Sequence, residues 1–261
     1  MRLGGDPLVL RAGSAVLTIS PADGGRVASL VIHGEERLVT EGDGPIRWGS
    51  YPMSPWAGRI REGRFTFRGR DVQLPRNLPP HAIHGTVFER PWTVDGPHAL
   101  SIDLGPGWPF AGRVVQRFAL DEGGLRVDLE LEADEPMPVV VGWHPWFRRP
   151  VELAIEPGRM YERGADGLPT GRIVTPGPRP WDDCLLDLAG PPVLIWPDGV
   201  RLAITSSADH WVVYDETPQG VCVEPQTGPP DAVNIGGATV VEPGTPQRAW
   251  MAWRWEPSRS P

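Results

Sequence analysis

Apolar and polar residues alternate with a period of two along much of the chain, and that pattern predicts strands. Leu125, Val127, Leu129 and Leu131 face one way while Arg126, Asp128, Glu130 and Glu132 face the other, because successive side chains of an extended chain leave opposite faces. Leu100, Ile102 and Leu104 repeat the pattern, as do the charged and aromatic residues Arg64, Phe65, Phe67 and Arg68 ahead of a turn at Gly69. Residues 15–19 and 27–32 are apolar runs flanking Pro21, Gly24 and Gly25, the composition of a glycine-turned hairpin. Further strands are predicted at 200–204, 211–214, 221–223 and 250–255, and no window carries a helical period. Closely spaced strands without intervening helices predict an all-β fold, an antiparallel β-sandwich or barrel. With no composition break, residues 1–261 read as a single domain.

Two runs end on chemistry. Met137, Val139, Val140 and Val141 read as an interior strand, and His144 follows at once, restrained by Pro145. The proline removes a donor and keeps its predecessor extended, so the imidazole is expected at a strand end. Glu224 closes the run Val221, Cys222, Val223 and is followed by Pro225 in the same manner. A base-type and an acid-type group in matching settings are what a concerted proton transfer needs. The plainer reading of each is a strand-end group satisfied by nearby backbone. Segments 50–60, 74–85 and 158–183 are rich in Pro, Trp and charge and are expected to be long loops that carry function.

Composition narrows the classes. Gly 32 and Pro 32 among 261 residues would suggest disorder, but 40% hydrophobic residues and 12 Trp argue for a packed protein with many turns. All 25 basic residues are Arg, the formal charge is −8, and no basic stripe stands out, so no nucleic-acid partner is expected. Cys184 and Cys222 are too few for a disulfide scaffold or a zinc site. His81 and His84 are three apart, but extended backbone would point them to opposite faces and no third ligand follows, so no metal is expected. Residues 1–7 lack an apolar leader and no run approaches the ~18 apolar residues of a membrane span, which leads to an expected cytoplasmic location without membrane partners.

Order and spacing then add a resemblance. Gly24-Gly25, Trp-Ala-Gly-Arg-Ile at 56–60, Gln-Leu-Pro-Arg-Asn at 73–77, Ala-Ile-His-Gly at 82–85, His-Pro-Trp-Phe at 144–147, Trp-Asp-Asp-Cys-Leu at 181–185 and Glu-Pro-Gln-Thr-Gly-Pro-Pro-Asp-Ala-Val-Asn at 224–234 occur in sequence. Together they resemble the aldose 1-epimerases, or galactose mutarotases. The resemblance implies an antiparallel supersandwich with a cleft formed by long loops, which interconverts the α and β anomers of a pyranose without a cofactor. It implies His144 as catalytic acid, Glu224 as catalytic base, and Arg59, His84 and Asp182 as substrate-holding residues, with Asp183 adjoining Asp182 as the competing assignment. Trp146, or Trp56 or Trp143, offers a flat face to the sugar. Three positions depart from the family pattern: Gly58 where Asn is frequent, Trp146 where Tyr is common, and Thr86 where many members have glycine.

Since an unperturbed histidine is mostly neutral at pH 7, carboxylates such as Asp182 are expected to hold His144 in its charged form. Two alternatives stay open. Arg148, Arg149 and the Arg59-Ile60-Arg61 segment suggest a hexose-6-phosphate 1-epimerase, and a sandwich without turnover would be a carbohydrate-binding or sensing protein. The expected partner is a small sugar, with monomer as the default state.

Overall fold

The computed structural model describes residues 5–256, and antiparallel strands make up most of it. An eleven-stranded sheet runs Leu8–Ala12, Ala15–Ser20, Arg26–Ile32, Ser50–Met53, Gly142–Arg148, Gly220–Gln226, His210–Tyr214, Asp182–Leu188, Pro157–Arg163 and Pro169–Val174, with Glu35–Glu36 added beside Arg26–Ile32. An eight-stranded sheet runs Thr93–Gly96, Ala99–Asp103, Gly112–Asp121, Gly124–Ala133, Gln247–Glu256, Arg201–Ser206, Val193–Ile195 and Glu152–Ala154. The main core lies between them. Trp143 and Phe147 from the first sheet and Trp253 from the second are fully buried there, and the Phe147 and Trp253 rings meet at 5.2 Å. One polar link crosses this core: Gln116 accepts from Trp143 Nε1 at 3.0 Å and donates to the Gly25 carbonyl at 2.8 Å, so both ends of the buried amide are satisfied.

The predicted alternation at 125–131 falls within Gly124–Ala133, and the predicted hairpin is the Ala15–Ser20/Arg26–Ile32 pair. The central strands of the first sheet behave differently. In Gly142–Arg148 the odd positions Trp143 and Phe147 enter the main core, while Trp146 joins a second, smaller cluster with Tyr51, Met53 and Cys222 on the other face. That second face is the floor of a cleft.

The expected long loops are partly strand. Segment 50–60 holds Ser50–Met53 and Arg59–Ile60, segment 74–85 holds Ala82–Ile83, and segment 158–183 is mainly the hairpin Pro157–Arg163/Pro169–Val174. Their apolar content is too sparse to show a period, but neighbouring strands satisfy their backbones. The run 137–141 is likewise not one strand: Met137–Val139 pairs with Thr239–Val241, and the chain then diverts at Val140, whose N–H donates to the Pro55 carbonyl at 2.9 Å, before restarting at Gly142. Helical structure among the described residues is limited to Ala232–Ile235 and the turn Arg61–Gly63. No helix there is long and apolar enough to cross a membrane, and the reading of residues 1–4 as free of a leader lies outside the described residues.

Candidate active site

His144 and Glu224 are not at strand ends; both sit in mid-strand at the centre of the first sheet. The reason is the pair of prolines. Strand Gly142–Arg148 pairs with Gly220–Gln226 at Gly142↔Gln226 and again at Trp146↔Cys222, with no paired residues between. Pro145 and Pro225 have no N–H to give to a ladder, so the ladder opens over this interval, and His144 and Glu224 face each other across the opening. Nε2 of His144 lies 3.3 Å from Oε1 of Glu224, and both side chains are almost fully buried. Tyr51 stacks on the imidazole at 4.9 Å and Trp146 at 5.6 Å, while the Trp146 indole N–H donates to the Ile46 carbonyl at 2.8 Å.

Arg59 and His84 reach the same floor from the short pair Arg59–Ile60/Ala82–Ile83. His84 is buried with a left-handed φ of 60°, and its ring meets that of His144 edge-on at 4.9 Å. The bend needs Gly85, since a Cβ there would stand 1.9 Å from the Ser54 carbonyl oxygen. Asn77 clamps the segment by accepting from the Ile83 N–H at 2.8 Å and donating to the Ile83 carbonyl at 3.0 Å. Arg59 is held through its backbone: the Asp231 N–H donates to the Arg59 carbonyl at 2.8 Å, and the Arg61 N–H donates to the Asp231 carboxylate at 2.9 Å. Gly58 explains its own departure from the expected Asn, because it is left-handed at φ 65° and a Cβ would meet Pro230 at 2.7 Å. Thr86 turns away from the floor and donates to the Leu104 carbonyl.

Asp182 and Asp183 both line the cavity, with different partners. Asp182 Oδ2 lies 3.4 Å from both terminal nitrogens of Arg59, and Asp183 Oδ1 lies 3.3 Å from Arg163 Nε. The cavity has a volume of about 430 Å³, and its wall includes Arg59, His84, His144, Trp146, Asp182 and Glu224, the sequence-derived set in one place. Trp56 and Trp143 lie in the main core instead. The sequence reading missed Gln226, Tyr214, Arg163 and Arg47 on this wall. Gln226 stands in the motif at 224–234 and was legible there; Tyr214 closes the predicted strand 211–214 but carries no motif, and Arg163 and Arg47 come from segments with neither motif nor clear period.

Burial governs the charge states. It pushes His144 down to about 3, with Arg59 and Arg26 acting in the same direction. It also holds His84 well below the ordinary histidine value, helped by His144 and Arg59. Burial pushes Glu224 well up, Asp182 adds to this, and Arg59 and Gln226 oppose it. The expectation that Asp182 keeps His144 charged therefore fails: Asp182 is turned to Arg59, and desolvation dominates the imidazole.

Among the described residues one group offers metal-type donors. His144, Cys222 and Glu224 place their ligand atoms within 4.8 Å of one another. Cys222 lies beneath the floor, and burial pushes its thiol well above the ordinary value, with Glu224 adding to the shift, so no preformed thiolate stands ready for an ion. The sequence pair His81 and His84 does not converge: His81 Nδ1 accepts from the Glu62 N–H at 3.1 Å, away from the cavity wall.

Comparison with known proteins supplies a family. The sequence profile described as "Aldose 1-epimerase" matches residues 7–187. Galactose mutarotase of Mus musculus is 33% identical over 103 residues, 35% of this chain and 29% of that protein. An uncharacterised Escherichia coli protein is 31% identical over 105 residues, 37% of this chain and 36% of its own length, so the matched segments span about a third of these relatives. Among solved structures, an Escherichia coli protein described as a putative aldose 1-epimerase superposes with a TM-score of 0.84 at 21% identity, covering 96% of this chain and 99% of that one. A galactose mutarotase-like protein from Clostridium acetobutylicum gives 0.83 at 18% identity, covering 95% and 94%. At such identities the two superpositions show a shared fold.

Proposed function

This chain belongs to the aldose 1-epimerase family, and from that premise we propose that it interconverts the α and β anomers of a free pyranose aldose through Glu224 and His144. The observation that carries the proposal is the opposed, buried His144–Glu224 pair at 3.3 Å on the floor of a cavity walled by Arg59, His84 and Asp182. Glu224 takes the proton of the anomeric hydroxyl as the bond from C1 to the ring oxygen breaks, the C1 carbonyl forms, and His144 protonates the ring oxygen. Rotation about C1–C2 exposes the other face, and the same groups run the step in reverse. Running both transfers together avoids a free alkoxide or oxonium.

The pair needs one proton between its two members. In the chemical step His144 carries that proton and Glu224 is ionised, an arrangement that sugar hydroxyls support by hydrogen bonding in place of solvent. Arg59 is free to donate to sugar oxygens because its contact with Asp182, at 3.4 Å, is long for an ion pair. Neutral His84 lines the cavity and offers a hydroxyl a hydrogen-bonding ring without adding charge.

Substrate charge follows from the wall. Arg59 is opposed by Asp182, and Arg163 by Asp183 and Glu216, which favours an uncharged sugar. Two of the arginines behind the phosphate alternative are engaged elsewhere: Arg149 donates to the carbonyls of Thr217 and Asp215, and Arg61 is paired with Asp166 and Asp231. Arg148 is exposed and off the cavity wall, and Arg47, exposed at the cavity mouth, is a cation open to that reading. Polarimetry of freshly dissolved α-anomers is expected to show mutarotation faster than buffer, and faster for free than for phosphorylated sugar. No acceleration across a panel of aldoses sinks the proposal, and calorimetric sugar binding without acceleration replaces it with the binding-protein reading.

A further inference from the structure

Gln226 is fully buried, lies two residues beyond Glu224 on the same strand and therefore on the same face, and lines the cavity. Its Nε2 donates to Glu224 Oε2 at 3.2 Å, while His144 Nε2 is 3.3 Å from Oε1. Each carboxylate oxygen thus has its own neighbour. The backbone of Gln226 is fixed on both sides by pairing with Gly142 and with His210, so the amide is held by the sheet rather than by a loop. Its Oε1 has no partner among the described residues.

We propose that Gln226 is the positioning residue of the base: its amide clamps one carboxylate oxygen of Glu224, turns the other toward His144, and keeps the carboxylate ready to take a proton. The proposal rests on the epimerase reading. A carboxylate out of water is costly unless donors meet it, and an N–H bonded to the ionised form favours that form. The surrounding groups divide as follows. Asp182 from Asp182–Leu188 opposes ionisation of Glu224 and Arg59 from Arg59–Ile60 favours it. The Tyr51 hydroxyl and the Cys222 and Cys184 thiols are driven toward their neutral forms by burial, and Glu224 adds to each shift. His144 and His84 are neutral by burial. Gln226 is therefore the uncharged donor that offsets desolvation at the carboxylate itself. An amide also suits both protonation states, since a half-turn presents Oε1 to a protonated carboxyl.

Two variants separate this role from shape alone. Gln226→Met keeps length and loses the donor; Gln226→Glu keeps shape and adds a like charge. Activity as kcat/KM is followed against pH. Gln226→Met is expected to move the acidic limb up by about one pH unit, a loss of about tenfold at acidic pH that recovers on the alkaline side. Gln226→Glu is expected to move it further. A structural role gives the opposite order and an equal loss at every pH, and that result, or an unmoved acidic limb, overturns the proposal. Infrared titration of the sugar-free protein gives an independent reading. The carbonyl band of protonated Glu224, assigned by its absence in Glu224→Gln, is expected to persist to higher pH in Gln226→Met, and coincident titrations overturn the clamp. If the wild type accelerates no aldose, the epimerase reading fails while the infrared titration still decides the role of Gln226.

Discussion

The two sheets share one core and differ in what covers their other faces. Gly124–Ala133 and Gln247–Glu256 of the eight-stranded sheet alternate between buried and more exposed positions, with Glu130, Arg248, Asp121 and Arg254 paired on the outer side. In the eleven-stranded sheet, Ser50–Met53 and Gly220–Gln226 are buried at every position and Gly142–Arg148 at all but its last. Its second face is covered by loops and walled by the sheet's own edge hairpin Pro157–Arg163/Pro169–Val174, whose Tyr161, Arg163 and Pro169 line the cavity, so polar side chains there are removed from water without entering the core. The difference teaches where to look for chemistry: a strand that has lost its alternation yet still carries His, Glu or Gln is lining a covered cleft.

The largest expected effect tests that division at the cleft. Glu224→Gln should lower kcat by roughly 10²–10⁴-fold, the usual range for losing an acid–base group. Stability at neutral pH should hold or rise, because the amide replaces a carboxyl whose ionisation burial opposes. Polarimetry and thermal melting of the same preparation check both halves. If melting collapses together with activity, Glu224 belongs to the scaffold and the contrast between the faces is lost.

The opposite outcome is expected from the core face. Trp253→Ala removes a fully buried ring that packs on Phe147 and should cost about 3–5 kcal/mol in urea unfolding. Phe147 is three residues from His144 on the same strand but on the other face, so kcat/KM per folded molecule should change little. A large fall in kcat/KM without loss of stability would show that the core transmits its packing to the cleft.

How much of this was legible follows from the same contrast. Strands with one wet face announced themselves, as Leu125 to Leu131 did through alternate leucines and valine. Ser50–Met53 and Pro157–Arg163 did not, since one is four buried residues with a proline and the other is mostly polar. His144 and Glu224 were found through their prolines, but their placement at strand ends was wrong. A proline in sequence reads as an edge or an end, whereas here two prolines face the same gap and share it. Asp182 was legible as a carboxylate of the site, but its attachment to Arg59 rather than His144 depended on a contact 123 residues apart in sequence. Local pattern carries no record of such a contact.

Acid should expose the cost of keeping the cleft dry. His144 is lowered to about 3 and His84 well below the ordinary value, so between there and about 6.5 the unfolded chain binds protons that the folded one refuses. Stability then falls as pH drops through that window, by about 1.4 kcal/mol per pH unit for each histidine that stays neutral. Glu224 acts in the other direction, because its raised value makes the folded state the better proton binder above about 4.3 and lowers stability as pH rises. Urea midpoints measured from neutral to acidic pH in wild type and His84→Asn check the sum. A histidine variant with an unchanged acid slope would mean that the imidazole titrates freely and that the cleft is wet.

The smallest effect belongs to the outer face of the eight-stranded sheet. Glu130 and Arg248 are directly opposed across the ladder, with Oε2 and Nε 2.7 Å apart, and the arginine side chain is 69% exposed. A cycle of Glu130→Gln and Arg248→Gln should give a coupling of about 0.2–1 kcal/mol in stability. It should fade toward 1 M salt, where the screening length is about 3 Å. Arg59–Asp182 in the cleft is longer, at 3.4 Å, and its arginine is less exposed, at 30%. The same cycle there should register in sugar affinity and resist salt, because bulk ions do not enter a covered site as freely. Distance alone ranks the surface pair higher, and only the solvent above each face reverses that order. Equal salt sensitivity of the two couplings would remove the distinction between a wet face and a covered one.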